Sequence, residues 1–308
     1  MNPGRDCSFE VPEDLDGLRA DKGIAEFYEE FTRSRIAKVI KSGEVCINGK
    51  PCEVDTRIAQ GDRISFSMPE DVIPQILPED IPLDILYEDP DLLVVNKPKG
   101  MVVHPSPGHY HGTLVNALMH HCKDLSGING VLRPGIVHRI DKDTTGALIV
   151  CKNDRAHQLI AAQLKEHSIL RLYRAILVGS LKEEEGTVDM PIGRHPTERK
   201  KMAVNAPHAK RAVTHYRILE RFPGFTYVEC RLETGRTHQI RVHMTQIGHP
   251  LLGDPVYGSV KTKLKAEEGQ MLHAYLSGFI LPSTGEYLEV AAPLPKEFEA
   301  VLEKLRKI

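Results

Sequence analysis

Short apolar runs of strand length outnumber helical stripes along this chain, and the two do not alternate in any regular order. A doubly wound parallel sheet needs regular alternation of strand and helix. The pattern therefore predicts an α+β fold on a largely antiparallel, mixed sheet. Ile85-Leu86-Tyr87 and Leu92-Leu93-Val94-Val95-Asn96 read as strands divided by the Glu88-Asp89-Pro90 turn. Ala147 to Val150, Ile169 to Val178 and Thr226 to Leu232 read as three more. Helices are expected over Thr113 to His121 and after Asp154. In the second, Ala156, Leu159, Ile160 and Leu164 recur at helical spacing behind a capping aspartate.

The chain divides at residues 70–83 (EDVIPQILPEDIPL), where three prolines and several acids read as a linker. Residues 1–14 are expected to form a flexible tail, 15–69 a small unit and 84–308 one large domain. In the small unit, Ala20 to Tyr28 predicts one helix and Thr32-Arg33-Ser34-Arg35 starts another. Thr32 or Ser34 is placed to cap that second helix, which carries Ile36, Val39 and Ile40 on one face. Val45-Cys46-Ile47 then runs into Asn48-Gly49, a strong hairpin signal, and Ile64-Ser65-Phe66 supplies a further strand.

No apolar run approaches the roughly 18–20 residues that span a bilayer. The opening segment is acidic and polar, so a cytoplasmic protein is expected. Six scattered cysteines, none in a C-x-x-C pair, suggest neither a disulfide framework nor a zinc site. The net charge of −2 says nothing in favour of nucleic acid, but its distribution does. Arg33 to Lys50 holds five Lys or Arg against one acid, and Arg194 to Arg217 holds seven against one. Such local basic stretches suit a phosphate-tracking surface, although solvated faces carry them too.

Three stretches are able to carry chemistry. Arg133 to Gly146 concentrates polar residues between apolar runs, where a carboxylate such as Asp141 is fixed by scaffold yet open to a ligand. The plainer reading is that Asp141 or Asp143 closes a turn. Gly235 to Met244 sets two arginines and two histidines around Ile240 and Val242. His238 and His243 are spaced one residue too far apart for a helical H-x-x-x-H metal pair, so core or supporting histidines are expected and no metal. Tyr173 lies within a strand, where a lone tyrosine usually packs in a core.

At these residues a resemblance enters. His138-Arg139-Ile140-Asp141-x-x-Thr144-Thr145-Gly146 resembles the signature of the RluA/RluD-type pseudouridine synthases. Tyr173-Arg174-Ala175 and Gly235 to His243 are similar to two further motifs of that family. The flanks Asn96-Lys97-Pro98-x-Gly100, Pro191 to Pro196 and Gly248-His249-Pro250-x-x-Gly253-Asp254-Pro255-x-Tyr257-Gly258 agree. Ile140 and Thr145 depart from the family's Leu and Ser, both nearly isosteric changes. Residues 15–69 in turn resemble the S4 RNA-binding module, through Arg33-Ser34-Arg35, Ile40 to Lys50 and Gly61-Asp62.

The resemblance implies that uridines in large-subunit ribosomal RNA are isomerised to pseudouridine. Asp141 would act as nucleophile at C1′ or C6, or help form a glycal, and Arg241 would hold its charge. It further implies that Tyr173 stacks on the uracil, Arg139 fills the space left by a flipped base, and Arg236 with the 194–217 segment grips phosphates. Arg33, Arg35, Lys38, Lys41 and Lys50 would meet RNA from the S4-like unit. Isomerisation needs no cofactor, and a monomer is expected. The competing readings are a synthase acting on transfer RNA and a ribosome-assembly factor that binds RNA without chemistry. A methyltransferase or tRNA synthetase should show a glycine-rich nucleotide loop. The nearest candidate, Gly43 with Gly49-Lys50, has the wrong spacing and runs into Pro51.

Overall fold

The computed structural model describes residues 5–69, 76–106, 109–130, 133–258, 264 and 269–308, and the chain divides into two units at Pro74/Gln75. The first unit contains β1 (Arg5–Glu10), α1 (Ala20–Phe27), α2 (Arg33–Lys41), β2 (Val45–Ile47), β3 (Lys50–Pro51) and β4 (Arg63–Met68). Its sheet runs β1-β4-β2-β3, and both helices pack their apolar faces into one core.

Two sequence expectations change here. Residues 5–10 are not a tail: β1 pairs antiparallel with the whole of β4, because Cys7 and Phe9 alternate inward and Phe9 stacks on Phe27 at 3.9 Å. Residues 1–4 lie outside the described residues. Thr32 occupies the cap position of α2, but its hydroxyl meets Ser34 Oγ at 3.2 Å and no backbone N–H.

The second unit contains β5 (Ile85–Glu88), β6 (Leu92–Lys97), α3 (Leu114–His121), β7 (Thr145–Cys151), α4 (Asp154–Lys165) and β8 (Leu170–Val178). It continues with β9 (Glu185–Asp189), β10 (Ile192–Arg194), β11 (Met202–Val204), β12 (Val213–Phe222) and β13 (Phe225–Leu232). It ends with α5 (Gln239–Gln246), β14 (Leu272–Ile280), β15 (Tyr287–Ala291) and α6 (Lys296–Arg306). Among the described residues a nine-stranded sheet runs β5-β6-β7-β14-β8-β13-β12-β9, with β15 on β14. Only β7–β14 is parallel, which is the mixed, largely antiparallel α+β sheet the pattern predicts.

The central strands are apolar at successive positions because both faces are covered. Leu93, Val95, Leu148 and Val150 enter one core with Leu114, Val115 and Leu118 of α3. Leu92, Val94, Ala147, Ile149 and Cys151 enter another with Ala156 and Ile160 of α4. The cap of α4 is Asn153, whose side chain accepts from Ala156 N at 2.9 Å. Asp154 instead accepts from Ser126 Oγ at 2.7 Å and Gly127 N at 3.1 Å, a correction to the expected cap.

Of the expected linker, residues 70–75 lie outside the described residues. The remainder belongs to the second unit: Ile76 is buried in its main core, and Glu79 N donates to Asn116 O at 3.0 Å. Among the described residues no helix is long and apolar enough to cross a membrane.

Gly146 decides how the loop before β7 meets the sheet. Its φ is +108°, and a Cβ there would lie 2.8 Å from the backbone carbon of Ala274 in β14. Only a glycine lets β7 come this close to β14. The preceding loop, which carries Asp141, therefore opens beside the middle of the sheet.

Candidate active site

Asp141 lies in the loop that leads into β7, and that loop is pinned at several points. His138 Nε2 accepts from Ile149 N at 2.9 Å, and burial with the Arg171 charge pushes its pKa down to about 3, so the ring is neutral. Thr144 N closes a turn on Asp141 O at 3.1 Å, and Thr144 Oγ1 accepts from Gln270 Nε2 at 3.0 Å. Lys97 is fully buried and gives its hydrogens to the carbonyls of Pro98, Met101 and Lys142 at 2.7, 2.9 and 2.8 Å. Burial pulls its pKa to about 7, opposed by the charges of Asp143 and Asp141.

The partner of Asp141 comes from α5. Gln239 fixes the turn before that helix by using its whole amide: Oε1 accepts from Thr234 Oγ1 and Arg236 N at 2.8 and 2.9 Å. Its Nε2 donates to Val213 O and Thr214 Oγ1 at 2.9 and 3.0 Å. Two residues on, Arg241 Nη1 donates to Asp141 Oδ2 at 2.8 Å. Its Nε and Nη2 form a fork on Asp254 at 2.7 and 2.9 Å. Burial works against the guanidinium charge, but the bonds to Asp254 and the charges of both acids outweigh it and raise its pKa. Side-chain exposure falls from 18% at Asp141 to 5% at Arg241 and 0% at Asp254, so the row runs from the cavity wall into the protein.

Of the sequence-predicted residues, Asp141, Tyr173, Arg241, Arg139 and Arg236 line one open concavity with ≈360 Å³ of free space. Tyr173 is buried on β8 opposite Cys230 and Ala274, and burial, with the Asp141 charge, raises its hydroxyl pKa. Arg139 Nη1 stands 3.4 Å from His104 Nε2. His104 is held neutral by burial and by the charges of Arg139 and Arg133, its pKa pushed down to about 4. Arg236 Nε donates to Arg211 O at 2.9 Å. Arg194, Arg199, Lys200 and Lys201 lie on and between β10 and β11, which pair as a hairpin.

Arg33, Arg35, Lys38, Lys41 and Lys50 belong to the first unit. Arg33 pairs with buried Asp21 at 2.8 Å, and Arg35 donates to Pro69 O at 2.7 Å. Lys38, Lys41 and Lys50 are exposed.

Comparison with known proteins bears on what these residues do. The model of the RNA pseudouridylate synthase family matches residues 91–246, and that of the S4 domain matches 18–64. The chain is 46% identical to a ribosomal large subunit pseudouridine synthase D of Zymomonas mobilis, with 96% of each chain covered. The chain belongs to the RNA pseudouridine synthase family. It is also 52% identical, over 94% of each chain, to an uncharacterized RNA pseudouridine synthase of Bacillus subtilis. Among solved structures, Human RNA Pseudouridylate Synthase Domain Containing 1 aligns with a TM-score of 0.58 at 27% identity, covering 75% of this chain and 97% of that one.

Sequence reasoning passed over two residues at the centre of this synthase. Asp254 and Tyr257 sit in a glycine- and proline-rich turn, so they read as flanking residues only. The signal available was that a buried arginine needs more than one acceptor. His243 is the core histidine expected, bonded to Thr214 Oγ1 and Met190 O at 2.9 Å each. His238 takes the supporting position, with Nε2 3.8 Å from Asp141 Oδ1. Elsewhere Glu88, His121 and Cys122 bring possible metal donors within 4.8 Å. Lys152 Nζ already sits 2.6 Å from Glu88, and burial pushes the Cys122 thiol up to about 11, both unfavourable to a cation.

Proposed function

We propose that this pseudouridine synthase acts on uridines of large-subunit ribosomal RNA, with Asp141 as its nucleophile. The observation that carries the reading is the Asp141–Arg241–Asp254 row, which presents one carboxylate at the wall of a cleft and anchors its cation from behind. The reaction breaks the N1–C1′ bond of uridine, turns the base and forms a C5–C1′ bond, while the hydrogen lost from C5 is balanced by one gained at N1. Attack at C1′, attack at C6 and glycal formation all start from the same carboxylate oxygen. Arg241 takes up Oδ2, which leaves Oδ1, 3.8 Å from His238 Nε2, as the attacking oxygen.

The target nucleotide must leave its helix to reach that oxygen, at a cost of a few kcal/mol. Tyr173 offers a stacking platform worth about 1–3 kcal/mol per base and a protonated hydroxyl for proton relay. Arg139 is placed to fill the vacated stack, and Arg236 with the β10–β11 hairpin to hold phosphates. The S4 match and the relatives named for the large ribosomal subunit support ribosomal RNA as the substrate, with Arg33, Arg35, Lys38, Lys41 and Lys50 adding phosphate contacts. The test is a pseudouridine map of ribosomal and transfer RNA from cells with and without the gene. Loss confined to large-subunit sites is expected. Loss confined to transfer RNA, or no loss anywhere, would overturn the substrate assignment.

A further inference from the structure

His238 has no place in the mechanism above, yet it is held with unusual care. It stands at the start of α5 with φ +56°, a left-handed conformation that costs a non-glycine residue energy. Its Nδ1 lies 2.9 Å from Tyr257 Oη, and the same oxygen accepts from Met202 N at 2.8 Å. With that lone pair in use, the arrangement that leaves no polar hydrogen idle has the phenol donate to Nδ1. The ring hydrogen is then on Nε2, which faces Asp141 Oδ1 at 3.8 Å, whereas the opposite tautomer would set a lone pair against the carboxylate. Tyr257 is itself fixed by its backbone N–H on Asp254 Oδ1 at 3.0 Å and by Arg241, whose Cζ lies 5.2 Å from the ring centroid.

We propose that His238 is a positioning residue for Asp141, and that the basic hairpin β10–β11 governs it through Met202 and Tyr257. The inference rests on Asp141 being the nucleophile. Met202 lies in β11, paired with Arg194 across the hairpin that carries Arg199, Lys200 and Lys201 at its turn. A phosphate strand that engages those cations draws on β11. The shift passes through two hydrogen bonds to the imidazole and from there to the free carboxylate oxygen. At 3.8 Å the last link is open, and closing it needs a movement of about 0.8 Å, in keeping with catalytic hydrogen bonds that tighten only when substrate binds. Asp141, Arg241, Asp254 and Arg139 all face the ring. Burial outweighs the two acids among them and keeps it neutral, so it orients by a single N–H and not by charge.

The experiment uses the full chain and a large-subunit ribosomal RNA transcript. Single-turnover rates and RNA affinities are measured for wild type, Tyr257→Phe, His238→Gln and His238→Ala, with histidine nitrogen NMR on the first two. The wild-type ring is expected to carry its proton on Nε2, and Tyr257→Phe to show a mixture of tautomers. Tyr257→Phe should lose about ten-fold in single-turnover rate, the worth of one hydrogen bond, with RNA affinity unchanged. His238→Gln, whose amide N–H reaches toward Asp141, should recover most of the rate that His238→Ala loses. A proton on Nδ1 in wild type, or a wild-type rate in Tyr257→Phe, would overturn the proposal. An active Asp141→Asn control would instead bring down the nucleophile assignment beneath it.

Discussion

Replacing Asp254 by Asn tests whether Arg241 is anchored from behind. Asp254 accepts four hydrogens: Nε and Nη2 of Arg241 at 2.7 and 2.9 Å, and the backbone N–H groups of Val256 and Tyr257 at 2.9 and 3.0 Å. An asparagine oxygen in the Oδ1 position keeps three of them. The amide nitrogen in the Oδ2 position then opposes a guanidinium N–H, donor against donor, and the negative charge is gone. Both side chains are at most 5% exposed, so water does not repair the loss. Removing one partner of a buried pair costs roughly 3–5 kcal/mol. At about 2–4 °C per kcal/mol for a domain of this size, the unfolding midpoint should fall by roughly 6–20 °C. Arg241, deprived of its Nε bond and of the negative charge behind it, should also let the nucleophile drift, and a displacement of about 1 Å costs on the order of a hundred-fold in rate. Thermal unfolding gives the first quantity. Single-turnover pseudouridine formation, run where both proteins are folded, gives the second. A midpoint within about 2 °C of wild type, together with an unchanged rate, would refute the reasoning.

Two further outcomes are expected. Tyr173→Phe should keep the stacking platform and lose only proton relay, whereas Tyr173→Ala should lose a further ~1–3 kcal/mol of base binding, read as the difference in RNA affinity; equal affinities would refute the stacking role. The acid limb of stability is set in part by His138, whose folded pKa of about 3 lies below its ordinary 6.5. The unfolded chain therefore binds one more proton through that window, and stability falls by about 1.4 kcal/mol per unit as pH drops below 6.5. For His138→Gln, whose amide oxygen is still able to accept from Ile149, stability from urea unfolding at several pH values should fall with decreasing pH less steeply by that amount, and an unchanged pH dependence would contradict it.

The parts of the fold legible in the sequence were those where burial is two-sided or strictly alternating. Leu92 to Val95 and Ala147 to Val150 are apolar at every step because cores lie on both faces. Strand β12 was not legible, since His215, Arg217 and Glu220 interrupt its apolar positions. Neither was β14, where buried His273 and Ser277 break the run. Periodicity does mark α6, with Phe298, Val301, Leu302 and Leu305 on one face, although the expectations above leave it out. Residues 5–10 were misread because only Cys7 and Phe9 among them are apolar.

At the site, the motifs named Asp141, Tyr173 and Arg241, and the fold brings all three to one cleft. The pairing of residues 100 positions apart was open to resemblance and not to spacing. The roles of Asp254, Tyr257 and His238 depend on the direction in which α5 leaves its turn, a tertiary property that no local pattern encodes.

The most direct test of the central claim is single-turnover conversion of a ribosomal RNA transcript by purified Asp141→Asn protein, with RNA binding measured in parallel. Asparagine keeps the shape and an acceptor for Arg241 but has no nucleophilic carboxylate. The account predicts no pseudouridine above background and RNA affinity close to wild type. Conversion at the wild-type rate would contradict it.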